Sequence, residues 1–430
     1  MIEHAYFRLK KNGVFINFNS ALIVTFFFAD SFSWVNGLGD VDFRLSYVVL
    51  AAGLLFTFRN GKFFVSEKYV LVFSFLFFIS LPGMFQNSQI WKGVALQLLG
   101  SIPFAYLTFY IVRHEGLERI YDIYLFVAKL VVVSVFLEQA LYFIGGIDLV
   151  EKLWIFTSTN YDAGLYYRAS GILYEPSQVG LILPPAIYLA IRSGNYKLAL
   201  FILAGVILSF SSLGFIGALV SLVFSEKRLF KAIPVIIVAM ALVVSAVFLV
   251  PTTKDKLDKG YDLFFASDIS DTNSRKELEN MGGTVATLVV NGNITYAGLM
   301  DAPVFGHGVG SFRILYNDYL FKLYGDAGDL IALKNREGGA SLFFRILFEI
   351  GLLGGFVVFV IFFKKLVVLK SKMKDYVDGV TRYNLSIAAS IFFIECLIRK
   401  DMIVSFYFWF FVSIFLVATT NHRYIGRWRQ

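Results

Sequence analysis

An arginine and a carboxylate stand in the stretch YRASGILYEPSQVG, residues 167–180, between long apolar runs. A guanidinium stays charged at any physiological pH and binds two phosphate oxygens at once, whereas a carboxylate orients an arginine or accepts a proton. Arg168 is therefore a candidate ligand of a phosphorylated group, and Glu175 is a candidate general base. An arginine beside an apolar run also extends toward lipid headgroups, so a purely interfacial role for Arg168 stays open.

A glycine-rich stretch, DAPVFGHGVGSF, occupies residues 301–312. Its Gly306, Gly308 and Gly310 form a GxGxG spacing that differs from the dinucleotide-binding fingerprint, and no strand–helix–strand unit follows it. Such a turn either presents backbone N–H groups to an anion or simply closes a loop. His307 is a second candidate base. No other histidine or cysteine stands at metal-ligand spacing, so the sequence predicts no metal site.

Further arginines lie near the later apolar segments. Arg345 and Glu349 stand one helical turn apart in GGASLFFRILFEIGLLGG, residues 338–355, where they form either an ion pair or part of a site. Arg313 and Arg336 precede this stretch and are further candidates for binding phosphate. The chemistry that these residue types favour is the binding of a phosphorylated anion beside a group that accepts a proton.

The composition places these residues in a membrane protein. Of 430 residues, 57% are hydrophobic and 48 are phenylalanine, and the mean hydropathy is +0.69. Continuous apolar runs such as VIIVAMALVVSAVFLV are typical of membrane-spanning helices. The single cysteine, Cys396, lies inside such a run, so no disulfide framework is expected. We therefore expect an all-α polytopic membrane protein.

About twelve membrane spans are predicted from the apolar runs. They cover 14–32, 44–58, 69–85, 94–112, 120–146, 178–192, 197–210, 213–225, 232–250, 342–363, 383–398 and 403–420. The region 197–225 is either one long tilted helix or two short ones. With two, 22 lysines and arginines fall in short inner segments and 5 in short outer loops; with one, the numbers become 12 and 15. The positive-inside rule favours two helices.

This orientation places both termini in the cytoplasm and two long segments, 147–177 and 251–341, on the outer face. The sequence then divides into a helical bundle over 1–250, a large outer loop subdomain over 251–341, and a second bundle over 342–430. Because the distribution of basic residues across the membrane explains the formal charge of +8, nucleic-acid binding is not expected.

The three stretches, in this order and on this side, resemble the motifs of the bacterial O-antigen ligase/polymerase superfamily. The resemblance covers residues 160–360 and the general topology. Its motifs are an arginine-to-proline stretch before a span, a P.fG.G.g.f stretch in a large outer loop, and a glycine-rich start to the next span. The matching residues are Arg168, Gly171 and Pro176; Pro303, Gly306, Gly308, Gly310 and Phe312; and Glu349, Gly351 and Gly354.

One departure from the family pattern distinguishes between its members. Ligases of this superfamily resemble one another in a His-[Asn/Ser/Gln]-x9-Gly-x-x-Gly pattern at the third stretch. Here Ser341, Gly351 and Gly354 keep the frame, but Ala340 stands at the histidine position. The resemblance is therefore closer to a Wzy-type polymerase than to a ligase.

The resemblance implies a GT-C-like glycosyltransferase that works at the periplasmic face of the bacterial inner membrane. It would transfer a growing glycan from undecaprenyl pyrophosphate onto a second lipid-linked repeat unit, with membrane lipid and a chain-length regulator protein as further partners. No cofactor is expected, because the donor carries its own leaving group. The expected pyrophosphate-binding residues are Arg168, Arg313, Arg336 and Arg345, and the expected proton acceptors are Glu175 and His307.

Two other functions remain as alternatives: a ligase or related lipid-linked glycan transferase, and a flippase for lipid-linked oligosaccharide. A carrier places polar residues in broken helices near the membrane midplane of two repeated halves. Here the polar residues are concentrated in outer segments and no internal repeat is visible, which favours a polymerase.

Overall fold

The computed structural model describes residues 7–8, 15–16, 18–29, 33–34, 43–59, 67–153, 167–225, 283–324, 340–372, 379–400 and 403–419. The predicted span 232–250 and the candidate Arg336 lie outside these ranges. Helices make up almost all of the described chain. The strands among these residues are four two-residue segments that form two small antiparallel pairs: Phe7–Arg8 with Phe15–Ile16, and Ser33–Trp34 with Phe43–Arg44.

Most of the described helices follow the predicted apolar runs, and two lie in the predicted outer loop. In the first half of the chain they are α1 (Phe18–Ala29), α2 (Leu45–Arg59), α3 (Glu67–Gln86), α4 (Ile90–Glu115), α5 (Leu117–Leu153), α6 (Pro176–Arg192), α7 (Tyr196–Leu208) and α8 (Ser212–Ser225). In the second half they are α9 (Gly283–Asp301), α10 (Ser311–Tyr324), α11 (Leu342–Lys372), α12 (Gly379–Arg399) and α13 (Phe406–Ala418). The part of the predicted loop subdomain that the structure describes is therefore helical.

Five helices in the described chain are long and apolar enough to cross a membrane, namely Tyr69–Gln86, Ile90–Glu115, Leu117–Val150, Leu342–Val368 and Gly379–Arg399. Shorter apolar helices accompany them, including α1, α2, α7, α8 and α13. A helix of 13 residues such as α7 is about 20 Å long, less than the apolar thickness of a bilayer of about 30 Å. The chain is thus an all-α, multi-pass membrane protein, and the number twelve stays a prediction.

Two helices occupy the region 197–225, as the distribution of basic residues predicted. α7 starts at Asn195, whose side chain accepts a hydrogen bond from the backbone N–H of Leu198. It ends in a turn at Ser209 and Phe210, and Phe210 has a φ of 44°, which a helix does not permit. α8 then runs in the same direction as α6.

Helix α6 lies at the centre of the bundle, and almost all of its residues are buried against α7, α8 and α12. Gly180 of α6 meets Gly214 of α8 so closely that a Cβ on Gly180 would lie 2.6 Å from the backbone nitrogen of Gly214. Farther along, the Ser221 hydroxyl of α8 donates to the carbonyl oxygen of Pro184 at 2.7 Å. This hydroxyl provides a polar contact between the two helices inside the apolar bundle.

Helix α11 is broken at Gly351, where φ is 65° and ψ is −171°. The break leaves N–H and C=O groups on both sides without partners in the helix. The segment 303–308 forms hydrogen bonds with them. The N–H groups of His307 and Gly308 donate to the carbonyl oxygens of Phe348 and Glu349 at 2.9 and 2.8 Å. In return, Leu352 and Leu353 donate to Pro303 and Val304 at 2.9 and 3.1 Å.

Broken helices are typical of carriers, and the apolar run of α11 does not predict one. In an apolar bundle, unsatisfied N–H and C=O groups cost several kcal/mol, so the glycine-rich segment is what makes the break stable. Gly306 allows the approach, because a Cβ at this position would lie 2.5 Å from the carbonyl carbon of Glu349.

The contacts between helix ends place all three predicted stretches at one end of the bundle, which we call the site end. The start of α6 contacts the end of α12 through Glu175 and Lys400, and Ser341 before α11 donates to the carbonyl of Leu397 at 2.8 Å. The segment 306–310 packs between α3 and α4 near the turn that joins them.

Replacing Gly351 by alanine should destabilise the protein by about 2 kcal/mol or more, because the residue has a positive φ and a new Cβ would lie 2.5 Å from the carbonyl oxygen of Val304. Thermal unfolding of the detergent-solubilised protein measures this. Gly355→Ala on the same helix is the control, since its Cβ would meet only the side chain of Ile346 at 3.3 Å. Equal unfolding temperatures for the two variants would contradict the role of the break.

Candidate functional site

The segment that carries Arg168 is fixed to helix α5. The Glu138 carboxylate is fully buried and accepts hydrogen bonds from the Tyr167 hydroxyl at 2.5 Å and from the N–H groups of Ser170 and Gly171 at 2.8 and 2.6 Å. These contacts lie on either side of Arg168, whose side chain is partly buried.

A group of cations surrounds the start of helix α6. Glu175 is in contact with Lys400, and the Lys400 ammonium also donates to the Ser177 hydroxyl at 3.0 Å. Arg399 precedes Lys400 at the end of α12 and lies within electrostatic range of Arg168, so that the two like charges repel. Lys400 thus contacts Glu175, and its neighbour Arg399 lies near Arg168. We call Arg168, Glu175, Arg399 and Lys400 the cationic cluster.

Two helix N-termini lie in the cationic cluster. α6 begins at Pro176, directly after Glu175, as the sequence indicated. α8 begins at Ser212, whose hydroxyl accepts a hydrogen bond from Arg399 Nη1 at 2.5 Å. The N-terminus of a helix carries a partial positive charge and unpaired N–H groups, and both favour an anion. The side chains of Lys400 and Glu175 retain 21% and 29% of their exposure, so a ligand can reach them.

Arg345 lies in a separate buried group. Its Nε donates to Glu349 at 2.9 Å and its Nη2 donates to Gln97 at 2.5 Å, and all three side chains are more than nine-tenths buried. These residues line a cavity of about 60 Å³ together with mainly apolar side chains such as Trp409. Of the two readings of Arg345 and Glu349, the ion pair is confirmed.

His307 is held by its surroundings. Its Nε2 lies 3.0 Å from the carbonyl oxygen of Gly298, and because a carbonyl only accepts, Nε2 carries the proton. The Tyr319 hydroxyl lies 3.1 Å from the same nitrogen and donates to Asp301 at 2.8 Å. Burial lowers the pKa of His307, and the hydrogen bond from Tyr319 lowers the pKa of Asp301.

The glycine-rich segment does not present its N–H groups to an anion in this conformation, contrary to one of the two readings of the sequence. Gly306 donates to Ala302 at 3.1 Å and Gly308 donates to Glu349 at 2.8 Å. Gly310 is needed for close packing, since its Cβ would lie 2.4 Å from the carbonyl oxygen of Gly93. The three glycines, with φ of 66°, 98° and 79°, instead let the segment fit between helices.

The structure thus brings together only part of the predicted set. Arg168 and Glu175 share one cluster, whereas Arg345 is engaged with Glu349 and Gln97, and Arg313 is exposed on α10. Arg336 lies outside the described residues, and a clamp that combines Arg168 with Arg313, Arg336 or Arg345 stays a prediction.

Sequence reasoning missed Arg399, Lys400 and Glu138 as members of the site. The first two form an adjacent basic pair in a short predicted outer loop, which is a weak signal. Glu138 is an ionisable residue inside a predicted span, a position that usually indicates function, but its partners are remote in sequence. The described residues include no group of three His, Cys, Asp or Glu side chains that could hold a metal ion.

No family model matches the chain, and no similar protein is found among curated sequences or solved structures. The arrangement of side chains therefore carries the functional argument.

Acidification should destabilise the protein through His307. Because burial lowers the pKa of the folded histidine, the unfolded chain takes up the proton first, and stability falls as the pH drops below about 6.5. Asp301 stays ionised in this range and does not contribute. The measurement is the unfolding temperature between pH 7.5 and 5.5. His307→Gln keeps an N–H donor but does not titrate, so its pH dependence should be weaker; identical slopes would contradict the assignment.

Proposed function

We propose that this chain is a Wzy-type polysaccharide polymerase, a glycosyltransferase that moves a growing glycan from polyprenyl pyrophosphate onto a lipid-linked repeat unit. The observation that carries the proposal is that Lys400 contacts Glu175 and Ser177 at the start of α6, while the neighbouring Arg399 lies near Arg168. The predicted topology assigns this end of the bundle to the periplasm, where no nucleotide is supplied and the donor must bring its own leaving group.

The cationic cluster suits a diphosphate for electrostatic reasons. Guanidinium groups bind phosphate oxygens in a bidentate manner, and an ammonium adds a point charge. The N-termini of α6 and α8 supply N–H groups and partial positive charge, and the Ser177 and Ser212 hydroxyls extend the set of polar groups.

The transfer step uses this charge on the leaving group. The acceptor hydroxyl oxygen forms a bond to C1 of the donor sugar while the bond from C1 to the pyrophosphate oxygen breaks, and the electron pair of that bond stays on the pyrophosphate. Negative charge thus develops where Arg168, Arg399 and Lys400 are already placed. Fixed charges stabilise this transition state more than the ground state, because the leaving oxygen gains negative charge only as its bond to C1 breaks, and this lowers the barrier.

The proton of the acceptor hydroxyl passes to Glu175 in this proposal. Glu175 contacts Lys400, so a diphosphate that binds Lys400 competes with the carboxylate and releases it for proton transfer. His307 has its Nε2 proton in a hydrogen bond to Gly298 and is packed against Phe348, so it supports the broken helix rather than the chemistry.

The test is reconstitution of the purified protein in proteoliposomes with lipid-linked repeat unit as both donor and acceptor. A ladder of glycan lengths without nucleotide supports the polymerase. Transfer of a finished glycan to a lipid A core acceptor, without a ladder, would instead favour a ligase. Movement of the lipid-linked unit between leaflets without transfer would favour a flippase, and either result would overturn the proposal.

Arg168→Ala and Arg399→Ala should each lower kcat/KM for ladder formation about 100-fold or more, because each removes a charge that meets the departing pyrophosphate. Arg192→Gln is the matched control. Arg192 lies at the opposite end of α6, where its Nε is 3.5 Å from Asn384, and its loss should leave kcat/KM within about twofold of the wild type. A normal ladder from either cluster variant would remove that arginine from the site.

Substitutions of Glu175 and Lys400 should affect different kinetic constants. Glu175→Gln removes the proton acceptor and should lower kcat by about 100-fold or more with little change in the KM for donor. Lys400→Met removes a charge-assisted contact to the donor and should raise the donor KM by about tenfold or more. Steady-state kinetics over a range of donor concentrations measures both. If Glu175→Gln changed only KM, Glu175 would not be the base.

A further inference from the structure

A carboxylate inside helix α5 organises the segment that carries Arg168. Glu138 has no exposed surface, and one of its oxygens accepts from two consecutive backbone N–H groups, those of Ser170 and Gly171. Its other oxygen accepts from the Tyr167 hydroxyl at 2.5 Å. The three donors belong to one short segment, so this carboxylate determines the path of the chain through Arg168.

Neighbouring polar residues of α5 fix the same segment. The Gln139 amide donates to the carbonyl of Tyr167 at 2.7 Å and to the carbonyl of Leu208 at 3.0 Å. On the other side of Arg168, the Ser134 hydroxyl accepts from the N–H of Ile172 at 3.0 Å. Residues on both sides of Arg168 are thus hydrogen-bonded to α5, within two turns of that helix.

Packing supports these hydrogen bonds independently. Gly171 has a φ of 63°, and a Cβ there would lie 2.3 Å from the Ser134 hydroxyl oxygen, so only glycine brings the segment this close to α5. The Tyr167 ring is buried and stacks on Tyr142, with ring centroids 4.7 Å apart and planes 17° apart. The backbone at Arg168 is therefore held before any ligand binds.

The partners of Glu138 differ from those of a structural buried carboxylate in the same protein. Glu115 is the last residue of α4, and its side chain is 2% exposed. It pairs with Arg119 at 2.9 Å, so a cation one turn away balances its charge. Glu138 instead receives a phenol and two backbone amides from the Arg168 segment. All of these contacts of Glu138 are with the segment that carries Arg168.

We propose that Glu138 is a positioning residue that sets Arg168 in place to bind the diphosphate of the lipid-linked donor. The inference rests on the proposed function and deepens it. A guanidinium that is already placed where negative charge develops needs no reorganisation during the reaction, which is the basis of electrostatic catalysis. Glu138 itself does not touch the substrate.

The chemistry of the contacts gives a conservative variant. In Glu138→Gln the amide oxygen can accept from Ser170 and Gly171, and the amide N–H can donate to Tyr167, because a hydroxyl is both donor and acceptor. This variant therefore keeps the segment in place. Glu138→Ala removes all three contacts and leaves two buried N–H groups unsatisfied.

A double-mutant cycle with Arg168 tests the proposal in proteoliposomes with radiolabelled donor. Glu138→Ala should lower kcat/KM about tenfold or more in the wild type and leave it unchanged when Arg168 is already alanine, whereas Glu138→Gln should stay within about threefold of the wild type. Additive losses in the double variant would show that Glu138 acts on the fold in general and would overturn the proposal. Full activity of Glu138→Ala would do the same.

A second pair of variants avoids dependence on a change as large as Glu138→Ala. Tyr167→Phe removes one hydroxyl at the Arg168 segment, and Tyr188→Phe removes one buried hydroxyl that donates to Asn384 at the other end of α6. Only the first should lower kcat/KM, and its effect should also vanish in Arg168→Ala. Equal effects of the two variants would overturn the proposal.

Amide hydrogen exchange separates this inference from the proposed function. A wild-type protein that forms no ladder would overturn the proposed function and the diphosphate role of Arg168 with it. Faster exchange of the Ser170 and Gly171 amides in Glu138→Ala, but not in Glu138→Gln, would still support the hold of Glu138 on the segment. Unchanged exchange in Glu138→Ala would overturn that hold as well.

Discussion

A polar group inside an apolar helix bundle must find its partner within the protein, because lipid offers neither donor nor acceptor. This constraint decides where segments between the helices enter the structure. At Gly351, the break in α11 exposes carbonyl and amide groups, and residues 303–308 supply the partners. The buried Glu138 carboxylate accepts hydrogen bonds from the backbone N–H groups of residues 170 and 171. In both places a glycine with positive φ allows the approach, and an ionisable side chain is positioned as a consequence.

Charge balance distinguishes the clusters at the site end. Arg345 and Glu349 form a buried ion pair beside a small cavity, and breaking such a pair is strongly destabilising. The cationic cluster is different, because three of its four side chains are positive and the pair of Lys400 and Glu175 remains partly open to solvent. Like charges such as Arg168 and Arg399 repel each other, and an anion between them would remove this repulsion. In the proposed function, that anion is the diphosphate of the donor.

Glycosyl transfer from a lipid pyrophosphate does not require a covalent bond between the protein and the substrate. The donor supplies the leaving group, so the protein must orient two substrates, stabilise the charge on the departing diphosphate and remove one proton. In the proposed function, the cationic cluster supplies the second of these and Glu175 the third. The glycine-rich segment and the backbone N–H of His307, which the sequence placed among the candidates for direct chemistry, stabilise the broken helix against α3 and α4.

The sequence by itself determined the membrane class, the positions of most helices, the two helices in 197–225 and the start of α6 at Pro176. Apolar run length, proline and the distribution of basic residues are local signals, so they can be read without the fold. Only the tertiary structure decided that Arg399 and Lys400 join Arg168, that Glu138 holds its segment, and that the N–H groups of Gly306 and Gly308 face protein carbonyls. These pairings join residues remote in the chain, and helix packing alone determines which of them meet.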